Sequence, residues 1–116
     1  MSAIMDNSYW VYILHCQNDS YYTGYTTDLM RRYQDHLAGK CKYTRSFKPL
    51  AIAQAWKITG TKSAAMKVEN YIKKLTREDK LQLLLKPENL FEMFQGIALI
   101  SLVPAKKLIR PLKFEM

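Results

Sequence analysis

Several things are scarce in this chain. It holds two cysteines, Cys16 and Cys41, with no CxxC pair. Two thiols cannot build a Cys-only zinc site or a disulfide framework, so the expected setting is reducing and cytoplasmic. Glycine and proline number four each, which excludes collagen-like and low-complexity classes. The longest apolar stretch near the C-terminus, residues 97–103, is seven residues long, against the ~20 that a membrane helix needs. Residues 1–6 carry neither a basic n-region nor a long apolar h-region, so no targeting segment is predicted. No repeat of solenoid period is present. Acidic residues are scarce too, ten against eighteen Lys and Arg, for a net charge of +8.

With 116 residues, 48% of them hydrophobic, the chain suffices for one domain with a core of its own. The basic excess is confined to one block. Between Arg31 and Lys80 stand thirteen basic and four acidic residues, and the rest of the chain is close to neutral. A localised cationic surface suits a polyanion, because each neutralised phosphate releases a condensed counterion. Nucleic acid is the expected partner, and no membrane partner is expected.

Residues 9–16 are aromatic, β-branched and nearly all apolar, which predicts a buried strand. The turn formers Gln17-Asn18-Asp19-Ser20 lead into a second strand, 21–25, and the short connection makes a hairpin. Gly24 within that strand signals a bulge or a close approach. Thr26-Thr27-Asp28 starts a helix to about Ala38, with Leu29, Tyr33 and Leu37 as its core stripe and Gly39 ending it. Residues 40–48 read as a basic loop interleaved with aromatics. A third strand follows, about Leu50–Ile58, then a helix from Lys62 to Leu75 capped by Thr61. Thr76-Arg77-Glu78-Asp79 opens a third helix with Leu81, Leu84 and Leu85 on its apolar side. Beyond Pro87 a short helix to Phe94 fits, 97–103 is a strand or a docked arm, and Lys106–Lys113 is a mobile basic tail. The expected fold is α+β, a three-stranded mainly antiparallel sheet flanked by helices in the order β-β-α-β-α-α. The domain spans 8–86, and a C-terminal extension, 87–116, packs on it or trails from it.

Certain reactive side chains fall where they can meet. Antiparallel pairing can bring Tyr12 and Tyr22 to one face. Arg32 and His36 are four apart on one helix and point the same way. Glu69 borders the apolar side of the second helix. Phosphodiester cleavage needs a cation against developing charge, a base for water and a carboxylate for a hard metal, and these residues supply the types. Each alone also fits an ordinary role: strand tyrosines bond through their hydroxyls, and Glu69 has Lys73 at the favoured i+4 position. His15 reads as structural, and the methionines as core filler.

The motif Trp10-Val11-Tyr12 followed by Tyr22-Thr23-Gly24, with Arg31-Arg32, His36, Lys42-Tyr43-Thr44-Arg45, Lys62-Ser63-Ala64-Ala65 and Glu69 behind it, resembles the GIY-YIG nuclease superfamily. Within it the chain is similar to the small single-domain branch, UPF0213-like, over about residues 8–85. Trp-Val replaces Gly-Ile in the first motif, Thr23 replaces an aliphatic residue, and Leu84 stands where some members carry an asparagine. The resemblance implies a metal-dependent endonuclease acting on DNA, with one Mg²⁺ or Mn²⁺ ion held by Glu69. It makes Tyr12 and Tyr22 the two motif tyrosines, Arg32 the helix arginine, and His36 the histidine one turn later. Tyr12 assisted by His36 would activate water, Tyr22 would orient water or phosphate, and Arg32 would stabilise the transition state. Arg31, Lys40, Lys42, Tyr43, Arg45 and Lys48 are the expected nucleic-acid contacts, basic side chains following the backbone while an aromatic ring stacks on a base. The alternative is a non-catalytic nucleic-acid-binding module using the same surface. A third class, a protein-interaction adaptor, would rest on 97–113.

Overall fold

The structure, a computed structural model, describes residues 7–104. Four strands form one antiparallel sheet in the order β2-β1-β3-β4, from β1 (Asn7–Cys16), β2 (Tyr21–Thr26), β3 (Pro49–Gly60) and β4 (Leu99–Leu102). Five helices accompany it: α1 (Leu29–Leu37), α2 (Lys42–Ser46), α3 (Lys62–Lys73), α4 (Arg77–Leu85) and α5 (Asn89–Met93). The hairpin between β1 and β2 closes through a hydrogen bond from the Cys16 amide to the Ser20 carbonyl at 2.9 Å. Asp19 sits in that turn at φ 63°, a left-handed conformation that a short polar side chain tolerates.

The near-continuous apolar run of β1 has its explanation in the layering. β1 lies between β2 and β3, and both of its faces are covered. Val11 and Ile13 point to one face and pack with Trp56, Ile58, Val68, Ile72 and Leu90. Tyr12, Leu14 and Cys16 point to the other and pack with Tyr33, Ile52 and Ala55. Each such Ile, Val or Leu contributes roughly 1.5–3 kcal/mol of burial. The helix starts are the ones the sequence signals: Asp28 accepts from the Arg31 amide, Thr61 from the Ala64 amide and Thr76 from the Asp79 amide. Gly39, at φ 79°, follows α1 in the left-handed position that ends a helix.

The fold departs from the sequence-based expectation in four places. A fourth strand, β4, extends the three-stranded sheet, with Ile100 buried against Ile58. Residues 40–48 are not a plain loop, because Lys42–Ser46 contains no helix breaker and closes a helical turn through the Arg45 amide and the Cys41 carbonyl. Leu37 is 41% exposed, so the buried stripe of α1 is Leu29, Tyr33 and His36. At about 100° per residue, i+7 stays closer to the axis of that face than i+8. On α4 the buried leucine is Leu83, while Leu85 is exposed and Leu81 and Leu84 are half-buried. The basic tail 106–113 lies outside the described residues. Among the described residues no helix is long and apolar enough to cross a membrane.

Candidate functional site

The site begins with one strand position. Tyr12 points from the central strand to the face that α1 covers, and its backbone partner on β2 is Gly24. The glycine leaves room for the phenol ring to lie across β2, which is the close approach that a glycine inside a strand signals. The ring is buried, and its hydroxyl lies 2.9 Å from Nε2 of His36. His36 is 1% exposed and belongs to the buried face of α1. Its other nitrogen, Nδ1, lies 2.7 Å from Oγ1 of Thr44, a fully buried residue of α2. Three side chains from three elements thus form one hydrogen-bonded line.

Burial governs the charge of this line. His36 is held down to about 4, first by burial and then by the Arg32 guanidinium, so its imidazole is neutral at neutral pH. Burial also pushes the Tyr12 phenol well above its ordinary value, reinforced by Tyr22 and opposed by Arg32. Tyr22 is raised as well, chiefly by burial.

Tyr22 joins Tyr12 on the same side of the sheet, with ring centroids 6.5 Å apart and the His36 ring 5.2 Å away, edge-on. The outer side of Tyr22 stacks on Tyr43 at 5.6 Å, and Tyr43 meets Phe47 at 5.7 Å. The Tyr43 hydroxyl is tied to Ser20 Oγ at 2.7 Å. Tyr43 therefore anchors α2 to the hairpin while staying 40% exposed.

Tyr12, Tyr22 and His36 line a polar cleft of about 320 Å³ at the β2 edge of the sheet. Arg32, Lys40, Cys41 and Glu69 line it too. Arg32 is exposed, makes a 3.9 Å contact to Cys41 Sγ, and forms no ion pair among the described residues. Its guanidinium remains available to an anion in the cleft. Lys40 is 3.9 Å from Asp35. Glu69 is 9% exposed and lies 3.7 Å from Lys73 Nζ, so the helix ion pair and a place in the cleft coexist in one residue.

The sequence-derived residues separate into two groups. Tyr12, Tyr22, Arg32, His36, Glu69 and Lys40 share the cleft. Arg31 does not; it lines a neighbouring groove with Thr26, Asp28 and Asp35, which Arg32 also borders. Lys42, Tyr43, Arg45 and Lys48 are exposed on and after α2. Tyr25 and Cys41, which line the cleft, and Thr44, buried behind His36, carry no site role in the sequence-based expectation. Thr44 stands among basic and aromatic neighbours as an uncharged, β-branched exception, and that was its available signal.

Among the described residues no three His, Cys, Asp or Glu side chains cluster as a metal cage. One carboxylate in a polar cleft is the donor set of a hard cation that keeps most of its waters. Glu69 fits Mg²⁺ or Mn²⁺ on those terms and fits neither a structural zinc nor a many-liganded calcium site.

The chain is similar to several known proteins. A UPF0213 protein of Cupriavidus necator is 47% identical over 81 residues, covering 69% of this chain and 85% of that one. A UPF0213 protein of Listeria innocua is 45% identical over 75 residues, 64% of this chain and 82% of its own. The solution NMR structure of a UPF0213 protein from Bacillus halodurans is 37% identical, covers 78% of this chain and 96% of that one, and aligns with a TM-score of 0.45. Residues 8–82 match the model of the GIY-YIG catalytic domain, a span that holds Tyr12, Tyr22, Gly24, Arg32, His36 and Glu69, and the chain belongs to the GIY-YIG family.

Proposed function

We propose that the protein is a divalent-metal-dependent endonuclease that hydrolyses phosphodiester bonds in DNA, and that residues 8–86 carry the activity, with 87–116 a C-terminal extension. The observation that carries this reading is that Tyr12 and His36, hydrogen-bonded to each other and with Thr44 behind His36, line a cleft together with Arg32 and Glu69.

A water molecule attacks the phosphorus, and the bond to the leaving oxygen breaks as the new P–O bond forms. Tyr12, supported by His36, takes the proton of that water as its own phenol proton passes to solvent. Tyr22 bounds the cleft beside it and orients the water or a phosphate oxygen. Arg32, which forms no ion pair among the described residues, meets the charge that builds on the phosphoryl oxygens, where a preorganised cation is worth several kcal/mol. Glu69 would hold one Mg²⁺ or Mn²⁺. When bound, such an ion neutralises phosphate charge and stabilises the leaving oxygen. Lys40, Lys42, Arg45 and Lys48 follow the backbone beyond the reacting phosphate, and Arg31 adds a diffuse contact from its own groove.

The test is cleavage of labelled single-stranded, duplex and branched DNA by purified protein, with Mg²⁺ or Mn²⁺ and with EDTA. Metal-dependent strand breaks that Glu69→Ala abolishes are expected. Salt-sensitive binding with no breaks at any metal concentration would establish the alternative, a non-catalytic binding module. Cleavage by Glu69→Ala at the wild-type rate would remove Glu69 from its role.

A further inference from the structure

We infer that Thr44 is a positioning residue for the hydrolytic site, and that its buried hydroxyl donates to His36 Nδ1 and so fixes the imidazole as the Nε2–H tautomer, aimed at the Tyr12 oxygen. The inference rests on the proposed nuclease reading for its purpose, but its geometry stands alone.

The neutral imidazole carries one proton and has two hydroxyl neighbours, Thr44 Oγ1 at 2.7 Å and the Tyr12 oxygen at 2.9 Å. Two arrangements satisfy both distances. In the first, Nδ1–H donates to Thr44 and Tyr12 donates to Nε2. The Thr44 hydroxyl proton is then left with no acceptor, because among the described residues His36 is the one hydrogen-bond partner of that side chain. Thr44 is fully buried, and an unsatisfied buried donor costs about 1–3 kcal/mol. In the second, Thr44 donates to Nδ1, Nε2–H donates to Tyr12, and the Tyr12 hydroxyl proton turns into the cleft that its residue lines. Every donor then has a partner or water. The second arrangement wins on that count.

Its chemical consequence follows directly. An Nε2–H donor stabilises the phenolate of Tyr12 and leaves a lone pair of its oxygen directed at the cleft. The phenol proton, already turned into the cleft, passes to solvent as the oxygen takes the proton of the attacking water, so the phenolate that burial disfavours need not accumulate. In the opposite tautomer the Tyr12 proton would point at Nε2, so His36 rather than solvent would have to receive it when Tyr12 takes a proton from water. α2 is suited to this task because its neighbours reach the same site: Tyr43 stacks on Tyr22, and Cys41 touches Arg32.

The experiment is long-range ¹H–¹⁵N correlation NMR of the imidazoles in the full chain, which distinguishes the two neutral tautomers without any nuclease assay. His36 should show the Nε2–H pattern in the wild type and in Thr44→Ser. Thr44→Val, close to isosteric, should show a mixture or the Nδ1–H form. Where cleavage is measurable, Thr44→Val should lower kcat by on the order of tenfold, part of the ~10²–10⁴ that positioned proton transfer supplies, with KM unchanged and Thr44→Ser restoring the rate. An Nδ1–H tautomer in the wild type overturns the inference whatever the variants do, as does an unchanged Nε2–H pattern in Thr44→Val. A failure of cleavage with the Nε2–H tautomer intact would count against the nuclease reading and not against this one.

Discussion

Gly24 and Tyr12 occupy one position between them: a Cβ built on Gly24 would stand 2.5 Å from the Tyr12 hydroxyl oxygen and 2.7 Å from the ring carbon that bears it. Backbone strain plays no part in this glycine; side-chain volume does. Gly24→Ala should destabilise the fold by about 1–3 kcal/mol, the usual cost of overpacking, and displace the phenol from His36. On a Tyr12→Ala background the same change should cost far less, because the clash is gone. Urea midpoints of the four proteins in that cycle measure the coupling, and additive effects would show that the ring does not fill the space.

Arg31 and Arg32 are adjacent and point about 100° apart. Arg32 borders the cleft, and Arg31 lines the neighbouring groove. Arg32→Ala should abolish cleavage while leaving the fold and most binding intact, and Arg32→Lys should also be poor, because a point charge does not reproduce the guanidinium fork. Arg31→Ala should weaken binding modestly, and less at high salt. Loss of activity in Arg31→Ala with Arg32→Ala active would reverse the assignment.

Lys42 and Arg45 are exposed on α2, and neither takes part in an ion pair among the described residues. Reversing both to Glu should weaken DNA binding at low salt and flatten the dependence of log K on log salt. Titrations at two salt concentrations decide it, and unchanged affinity would remove α2 from the contact surface.

His36 sets a pH window for stability. Its folded value, about 4, lies below the ordinary histidine value of 6.5, so the unfolded chain binds the proton more readily. The stability tied to neutral His36 is therefore complete above pH 6.5 and is lost as pH falls from there toward 4, by up to about 3 kcal/mol. Denaturant midpoints at pH 7, 5.5 and 4 should fall for the wild type and fall less for His36→Asn. Equal slopes for the two proteins would show that His36 is not the titrating group.

The sequence carried the strands of the hairpin, the caps of α1, α3 and α4, and the spacing that joins Tyr12, Tyr22, Arg32, His36 and Glu69, because each of these is a local or periodic property. The parts that escaped depend on packing between distant segments. The α1 stripe reads as Leu29, Tyr33 and Leu37 because Leu37 outweighs His36 on any hydrophobicity scale; a hydrogen-bonded histidine with partners on both nitrogens reverses the preference. Four leucines in the five positions 81–85 cannot all face one side of a helix, and Leu83 won because of where α4 crosses the core. Thr44 shows no periodicity at all, since its importance comes from a histidine eight residues earlier that a turn brings back to it.

The placement of Tyr12 on β1 has a kinetic meaning. β1 pairs on both sides and is covered on both faces, so it belongs to the last part of the molecule to open, and its amide should exchange with solvent deuterons only through global unfolding. Thr44 rides on five residues of helix at the surface, where opening is cheap. The two ends of one hydrogen-bonded line thus live on different clocks, a fixed phenol and a renewable imidazole setting, and the slower clock is the one that holds the oxygen lining the cleft.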